Sequence, residues 1–289
     1  MDYTLAIAST MLIALNFAIS KKYQFRAGTS LRAGLLFSLA TSFCTAIIFC
    51  AMGGWNQPFS WFSAIISAAQ STCGIVYTLL GFRILKSGGM SLYSMFLMSG
   101  GMLLPYVFGV LFLDEKLSIF RIVGIVVILA AVVLSNYNPA NKINTKLLLL
   151  CVSVFVLNGC VSILSKCHQI TTAYPTVDST GYVMYGGIIG MLPCAAVLPF
   201  CKRETEVEKG SLWRFLLLLA AGSAVISGVG YLFQLIGAET LPATVLYPIV
   251  TGGAVLFSTL AGKIFFKETI SKAQWISVGL CFVGTCLFL

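Results

Sequence analysis

Residues 91–118 read SLYSMFLMSGGMLLPYVFGVLFLDEKLS, an apolar run with small residues at its centre and an acidic turn at its end. Residues 244–271 read TVLYPIVTGGAVLFSTLAGKIFFKETIS and repeat this arrangement. In each copy a hydroxyl residue, Ser99 or Thr251, precedes two glycines, and a Glu-x-[Leu/Ile]-Ser turn closes the run. A repeat separated by about half the chain predicts a molecule built from two related halves.

The composition is that of a polytopic membrane protein. The chain is 58% hydrophobic and only 9% charged, its mean hydropathy is +0.97, and soluble domains carry about 25% charged residues. The net charge of +9 comes from Lys and Arg residues in or beside short connections, so it predicts no nucleic-acid partner. The ten cysteines are scattered, with no C-x-x-C pair and no histidine cluster, so neither a metal nor another cofactor is predicted.

The apolar runs predict ten membrane-spanning helices, because a bilayer core of about 30 Å needs roughly 20 helical residues. The predicted spans are 3–20, 33–53, 60–82, 89–112, 119–136, 147–165, 179–200, 212–236, 241–265 and 273–289. Each copy of the repeat then holds five spans, and an odd number makes the second copy enter the bilayer upside down. We therefore expect an all-α fold of two inverted five-helix repeats, residues 1–140 and 141–289, within one membrane domain.

The basic residues predict the orientation of the chain. All but Lys116, Arg121 and Lys166 of the 18 Lys and Arg residues lie at the links that follow odd-numbered spans. The positive-inside rule places those links in the cytoplasm. Both termini of this multi-pass protein of the cell membrane are therefore predicted to be non-cytoplasmic.

Several motifs together resemble the EamA-type members of the drug/metabolite transporter superfamily. They are the stretch LNFAISK at residues 15–21, Arg32 at the start of the second span, Pro248, and the twin turns at Glu115 and Glu268. The resemblance covers both halves and implies a ten-helix basket around a central cavity that moves metabolites, amino acids or drugs. Members of that family usually have both termini in the cytoplasm, which is opposite to the orientation that the charges predict here.

Polar residues deep in apolar spans are the candidates for a binding site, because an unpaired polar group costs free energy there. Amides donate and accept hydrogen bonds together, which suits a zwitterionic or polyhydroxy ligand. Hydroxyl groups before the paired glycines and mid-span tyrosines add further candidates. The predicted substrate-binding residues are Asn16, Gln70, Tyr77, Ser99, Asn158, Tyr231, Gln234, Tyr247 and Thr251. The competing interpretation is that these side chains only join helices.

The acidic residues argue against a proton-coupled exporter of cationic drugs, because that mechanism needs a buried carboxylate. All nine Asp and Glu residues lie at termini, links or span ends. The single histidine, His168, falls beyond the predicted sixth span and is expected at the interface. Glu115 and Glu268 are expected to cap or brace the turns that hold them.

The sequence thus predicts a secondary transporter of a small polar or zwitterionic metabolite, amino-acid-like or similar, that works by alternating access between its halves. It predicts no enzyme, because no nucleophile, metal cluster or acid/base pair shares one depth. The open alternatives are a non-transporting receptor or assembly subunit and, further off, a cationic drug exporter. The expected partners are a small-molecule substrate and the lipid bilayer, and the protein is expected to be a monomer or homodimer.

Overall fold

All regular structure in the described part of the chain is helical. The computed structural model describes residues 2–28, 30–87, 89–136, 145–201, 210–267 and 269–288. The helices are α1 (Asp2–Ala27), α2 (Leu31–Ala51), α3 (Trp61–Ser87), α4 (Gly89–Phe112), α5 (Ile119–Asn136), α6 (Thr145–Ile170), α7 (Ser179–Val197), α8 (Gly210–Thr240), α9 (Ala243–Phe266) and α10 (Lys272–Cys286). Single 3₁₀ turns follow α2, at Gly54–Asn56, and α7, at Leu198–Phe200.

Each predicted span corresponds to one helix, and eight of these are long and apolar enough to cross a membrane. The remaining two, α5 and α10, are shorter. Side chains fix several helix starts: Ser30 and Asp178 accept hydrogen bonds from backbone N–H groups at the starts of α2 and α7. Ser271 and Gln274 form a reciprocal capping box at the start of α10. Glu268 lies outside the described residues.

Several helices run further than the apolar runs predicted, and this corrects one expectation. The helix α6 continues to Ile170, five residues past the predicted end of its span. Lys166 and His168 therefore lie on the helix, where they are 4% and 1% exposed. His168, which was expected at the interface, is therefore covered by other helices, because backbone hydrogen bonding carries α6 past the end of the apolar run.

The packing of the helices joins the N-terminal and C-terminal parts of the chain. The helix α1 packs against α8 and α9, and α6 packs against α3 and α4. Three further contacts pair α2 with α7, α4 with α9, and α5 with α10. Every one of these pairs contains one helix from α1–α5 and one from α6–α10.

A glycine allows the closest approach between two helices. A Cβ built at Gly100 in α4 would overlap the carbonyl oxygen of Phe155 in α6 and would lie 2.7 Å from the Phe155 Cα. Only a residue without a side chain fits against the neighbouring backbone at this distance. The glycine pair of the first repeat copy therefore serves the packing of α4 on α6.

Candidate functional site

A polar cavity of about 350 Å³ lies between α2, α3, α7 and α8. Its lining combines hydroxyl, amide and tyrosine side chains with glycines and two valines. They are Thr41, Ser42, Thr45, Ser67, Gln70, Ser71, Gly74, Tyr77, Val161, Tyr182, Val183, Gly186, Gly187, Ser227, Gly228 and Tyr231. A cavity with this lining offers many donors and acceptors to a ligand but no formal charge.

Gln70 organises the wall of the cavity. Its Nε2 donates to the hydroxyl of Tyr231 at 2.8 Å and to Ser165 Oγ at 3.2 Å. Its Oε1 accepts from the hydroxyl of Tyr182 at 2.7 Å. The hydroxyls of Ser165 and Tyr231 are also within 2.8 Å of each other. Because its amide nitrogen bonds Tyr231 and its amide oxygen bonds Tyr182, Gln70 fixes the positions of two tyrosine rings, one from α7 and one from α8.

Two further spaces adjoin the cavity. One, of about 270 Å³, is lined by Asn16, Ser20 and Ser223 and shares Thr41, Ser42 and Ser227 with the cavity. The other, of about 430 Å³, shares Ser71, Gly74 and Tyr77 and reaches Gln24, Gly81 and Tyr93. None of the described residues that line the three spaces is an Asp, Glu, Lys, Arg or His. The polar space therefore extends toward the end of the molecule where α1 and α3 finish.

Four of the predicted site residues line these spaces, namely Asn16, Gln70, Tyr77 and Tyr231. Asn16 also accepts a hydrogen bond from Ser223 Oγ through its Oδ1 at 2.5 Å. The amide therefore faces the cavity region from α1 and simultaneously joins α1 to α8. The Asn16 amide is therefore compatible with both interpretations, contact with a ligand and a bond between helices.

The other predicted site residues lie outside the linings of these spaces. Asn158 Nδ2 donates to the Leu97 carbonyl oxygen at 2.7 Å and clasps α6 to α4. The Tyr247 hydroxyl donates to the carbonyl oxygen of Ser162 at 2.5 Å, within a buried core around α9. Ser99, Gln234 and Thr251 are also absent from the cavity linings. Asn158 and Tyr247 contact neighbouring helices instead, because equal depth in the bilayer does not fix which way a side chain faces.

Sequence reasoning missed several lining residues. Tyr182, near the start of α7, contacts the cavity because the N-terminal half of α7 packs against α3. Thr41, Ser42 and Thr45 line one face of α2. The signal for α2 was present, since three hydroxyl residues within about one helical turn in the middle of an apolar span form a polar stripe.

The end of the molecule opposite these spaces is held together by Glu115 and Lys166. The Glu115 carboxylate accepts from the backbone N–H of Ala243 at 2.6 Å and of Thr244 at 2.8 Å, at the start of α9. Lys166 Nζ donates to the carbonyl oxygens of Ala238 at 2.6 Å and Leu241 at 2.7 Å, at the end of α8. A carboxylate at a helix N-terminus and a cation at a C-terminus both complement the helix dipole. Glu115 thus caps a different helix from those joined by its own turn.

The described residues hold no group of three or more His, Cys, Asp or Glu side chains that could bind a metal ion. The described residues thus form a bundle of apolar helices around a cavity whose lining carries no charged side chain. Residues 145–289 match the profile of the EamA-like transporter family. The match covers half of the chain, and the protein belongs to that family.

Shorter proteins are similar to part of the chain. The probable 4-amino-4-deoxy-L-arabinose-phosphoundecaprenol flippase subunit ArnE of Photorhabdus laumondii is 29% identical over 105 residues, which are 35% of this chain and 88% of that protein. Its namesake from Hamiltonella defensa is 31% identical over 96 residues, 33% of this chain and 85% of that protein. A solved crystal structure with 15% sequence identity has a TM-score of 0.76 and covers 99% of this chain and 95% of its own. The similarity to this crystal structure shows that the two proteins share a fold.

Proposed function

We propose that the protein is a secondary transporter of a small polar metabolite that carries no net charge, either neutral or zwitterionic. The observation that carries the proposal is the lining of the cavity, which combines Ser, Thr, Gln and Tyr side chains without a charged one. A ligand with a net charge would need a partner of opposite charge in the cavity. The charges of a zwitterion balance within the ligand, and the hydroxyl groups of a neutral ligand pair well with these donors and acceptors. The family is one of transporters, which supports a non-enzymatic role.

Alternating access between residues 1–140 and 141–289 is the mechanism we propose. Polar space adjoins the cavity toward Gln24 and Gly81 at one end, while the contacts of Glu115 and Lys166 hold the other end closed. In a five-plus-five repeat, α1 corresponds to α6, α3 to α8 and α4 to α9. The packing of α1 on α8 and α9 therefore matches the packing of α6 on α3 and α4, which supports two related, inverted halves. Rocking of one half on the other would open the closed end and close the open one.

A lipid-linked substrate is the second candidate, because the ArnE relatives carry the name of a flippase subunit. A lateral groove of about 340 Å³ between α1, α8 and α9 supports it. The groove is lined by the cation of Lys22 and by six apolar side chains. The apolar ones are Leu15, Ala18, Ile19, Ile226, Phe265 and Phe266. In this candidate the groove would accept an apolar chain, Lys22 a phosphate, and the cavity a sugar head group. The same relatives also leave open a role as an assembly subunit.

Flux into proteoliposomes tests the proposal. Purified protein is assayed with labelled neutral sugars, neutral amino acids, organic cations and a short-chain polyprenyl-phosphate sugar. We expect saturable flux of a net-neutral solute. Flux of the lipid-linked sugar alone would favour the second candidate, flux of cations alone would contradict the cavity argument, and no flux at all would favour the assembly subunit.

Two cavity variants sharpen the assay, namely Asn16→Ala and Gln70→Ala. Loss of one hydrogen-bonding amide is worth about 0.5–1.5 kcal/mol, so half-saturation is expected to rise about twofold to tenfold. Ser153→Ala is the matched control, because that hydroxyl lies on an outward face of α6 and bonds to Leu149 of its own helix. If all three variants reach half-saturation at the same solute concentration as wild type, Asn16 and Gln70 do not belong to the site.

Both termini are proposed to be non-cytoplasmic, on the distribution of Lys and Arg residues. The open end of the cavity would then face the cytoplasm, since α1 and α3 finish there. A reporter that fluoresces only in the cytoplasm, fused after Leu289, is expected to stay dark. A bright fusion would reverse the orientation of every helix.

A further inference from the structure

The single histidine of the chain is buried at the closed end of the molecule. His168 is 1% exposed and lies on α6, about two turns beyond Val161, which lines the cavity. Its ring is stacked on Tyr182, with 3.8 Å between ring centroids, and on the other aromatic neighbour, Phe62, at 6.2 Å. The transport mechanism described so far makes no use of this side chain.

Both ring nitrogens of His168 are hydrogen-bonded. Nε2 is 2.8 Å from Ser63 Oγ, and Nδ1 is 3.3 Å from Gln169 Nε2. In this orientation of the Gln169 amide its nitrogen donates, so Nδ1 accepts and a neutral ring carries its proton on Nε2. Ser63 Oγ additionally accepts from the Val177 N–H at 3.1 Å, which ties the α6–α7 link to α3.

A hydrogen-bonded chain joins the ring to water at the closed end. Gln169 Oε1 accepts from Ser179 Oγ at 3.1 Å, and Ser179 Oγ also lies 2.7 Å from Glu239 Oε1. Glu239 is exposed at the end of α8. The one hydroxyl hydrogen of Ser179 is thus shared between two acceptors, which leaves the chain incompletely satisfied in the neutral state.

The ring also communicates with the cavity. Tyr182, on which the imidazole stacks, donates its hydroxyl to Gln70 Oε1 at 2.7 Å, and Gln70 holds Tyr231. A change in the charge of His168 therefore acts on a ring that is part of the cavity wall. No charged group intervenes among the described residues of this path.

We propose that His168 is a proton-binding site at the closed end, and that its protonation state sets how α6, α7 and α8 contact one another and the cavity-wall ring of Tyr182. This inference rests on the proposed transport function. The step is imidazole plus a proton from water at that end giving imidazolium, and the same proton returns to water when the ring is deprotonated. No bond between heavier atoms changes.

Protonation has a defined structural consequence. The imidazolium donates from both nitrogens, so Nδ1–H repels the amide hydrogens of Gln169 and the amide turns to present Oε1. Gln169 Nε2 then donates to Ser179 Oγ, whose hydrogen goes wholly to Glu239. The cation gains a path of oriented dipoles to a carboxylate and lies on the face of Tyr182, which favours it. The contacts among α6, α7 and α8 at the closed end are therefore different in the two protonation states.

Several titratable groups lie on α6 and on the elements around the ring. On α6 itself, Lys166 is held by two α8 carbonyl oxygens and Cys167 is a thiol. The surrounding elements contribute four tyrosines, at positions 174, 182, 231 and 247, and the carboxylates of Glu115, Asp178 and Glu239. Lys166 opposes a second cation here, and Glu239 is the carboxylate linked to the ring by hydrogen bonds.

Nuclear magnetic resonance of the wild-type protein provides the first test. With ¹⁵N-labelled histidine, a histidine-free affinity tag and lipid nanodiscs, the spectrum contains the ring signals of His168 alone, because the chain has 1 His. We expect these signals to change from one neutral tautomer toward the imidazolium as the pH is lowered from about 8 to about 4. A ring that stays neutral throughout this range overturns the proposal. The measurement needs no solute, so it is independent of whether the proposed cargo is transported.

Hydrogen–deuterium exchange of residues 171–178 provides the second test. After correction for the intrinsic pH dependence, we expect exchange in wild type to fall about tenfold on acidification, because protonation completes the hydrogen bonds of Gln169 and Ser179 that flank this link. His168→Gln should abolish the fall, and Ser153→Ala should retain it. Exchange that does not depend on pH in wild type, or that keeps its pH dependence in His168→Gln, overturns the proposal. If His168→Gln does not fold, Ser63→Ala leaves the ring in place and should shift the midpoint of the ring titration.

Discussion

Gly100→Ala is expected to destabilise the protein by forcing α4 away from α6. The new Cβ would overlap the carbonyl oxygen of Phe155 and stand 2.7 Å from its carbonyl carbon and Cα, whereas ordinary contacts begin at 3.4 Å. The obstructing atoms are backbone, so no rotamer change makes room, and the helices must separate by about 0.7 Å or more. Overpacking of this kind costs about 1–3 kcal/mol. The loss is expected to exceed any gain in helix propensity from alanine.

Thermal unfolding in nanodiscs, followed by tryptophan fluorescence, measures this cost. A loss of about 2 kcal/mol corresponds to a decrease in Tm of about 4–8 °C for a protein of this size class. The matched control is Gly279→Ala in α10, where a Cβ would meet no atom within 4 Å. If Gly100→Ala and Gly279→Ala unfold at the same temperature as wild type, the close approach of α4 and α6 is refuted.

Two further changes probe contacts between helices. Asn158→Ala removes the hydrogen bond to the Leu97 carbonyl oxygen, so it should cost about 0.5–1.5 kcal/mol of stability and leave the solute concentration for half-saturation of flux unchanged. A higher concentration for half-saturation together with a wild-type Tm would return this residue to the site. Glu115→Gln replaces one of two carboxylate acceptors at the start of α9 by a donor, so Tm should fall by an amount equivalent to about 1–3 kcal/mol. Lys116→Gln in the same turn is the control, and equal melting of both variants contradicts the capping role of Glu115.

The number and order of the helices could be predicted from the sequence because apolar length alone decides them. Their ends could not. Lys166 stops an apolar run, yet α6 continues past it because carbonyl oxygens of Ala238 and Leu241, more than 70 residues away in the chain, accept its ammonium hydrogens. A partner that distant leaves no local signal.

The candidate site could be predicted in part for a related reason. Asn16 and Gln70 stand out as amides within apolar spans, and both line polar space. Asn158 carries the same signal but bonds to α4, because the depth of a residue follows from the sequence while its direction around the helix does not when every face is apolar. Tyr182 was missed because tyrosine near the start of a span is also typical of an interfacial anchor.

The carboxylate of Glu115 has a consequence for how the protein is made. Translation produces Glu115 long before α9, and the N–H groups at the start of α9 have their acceptor on this earlier segment. A nascent chain released before the two parts meet would leave those donors without this acceptor. The start of α9 is thus capped only when the late helices dock on the early ones, so this contact forms only as the two parts of the chain assemble.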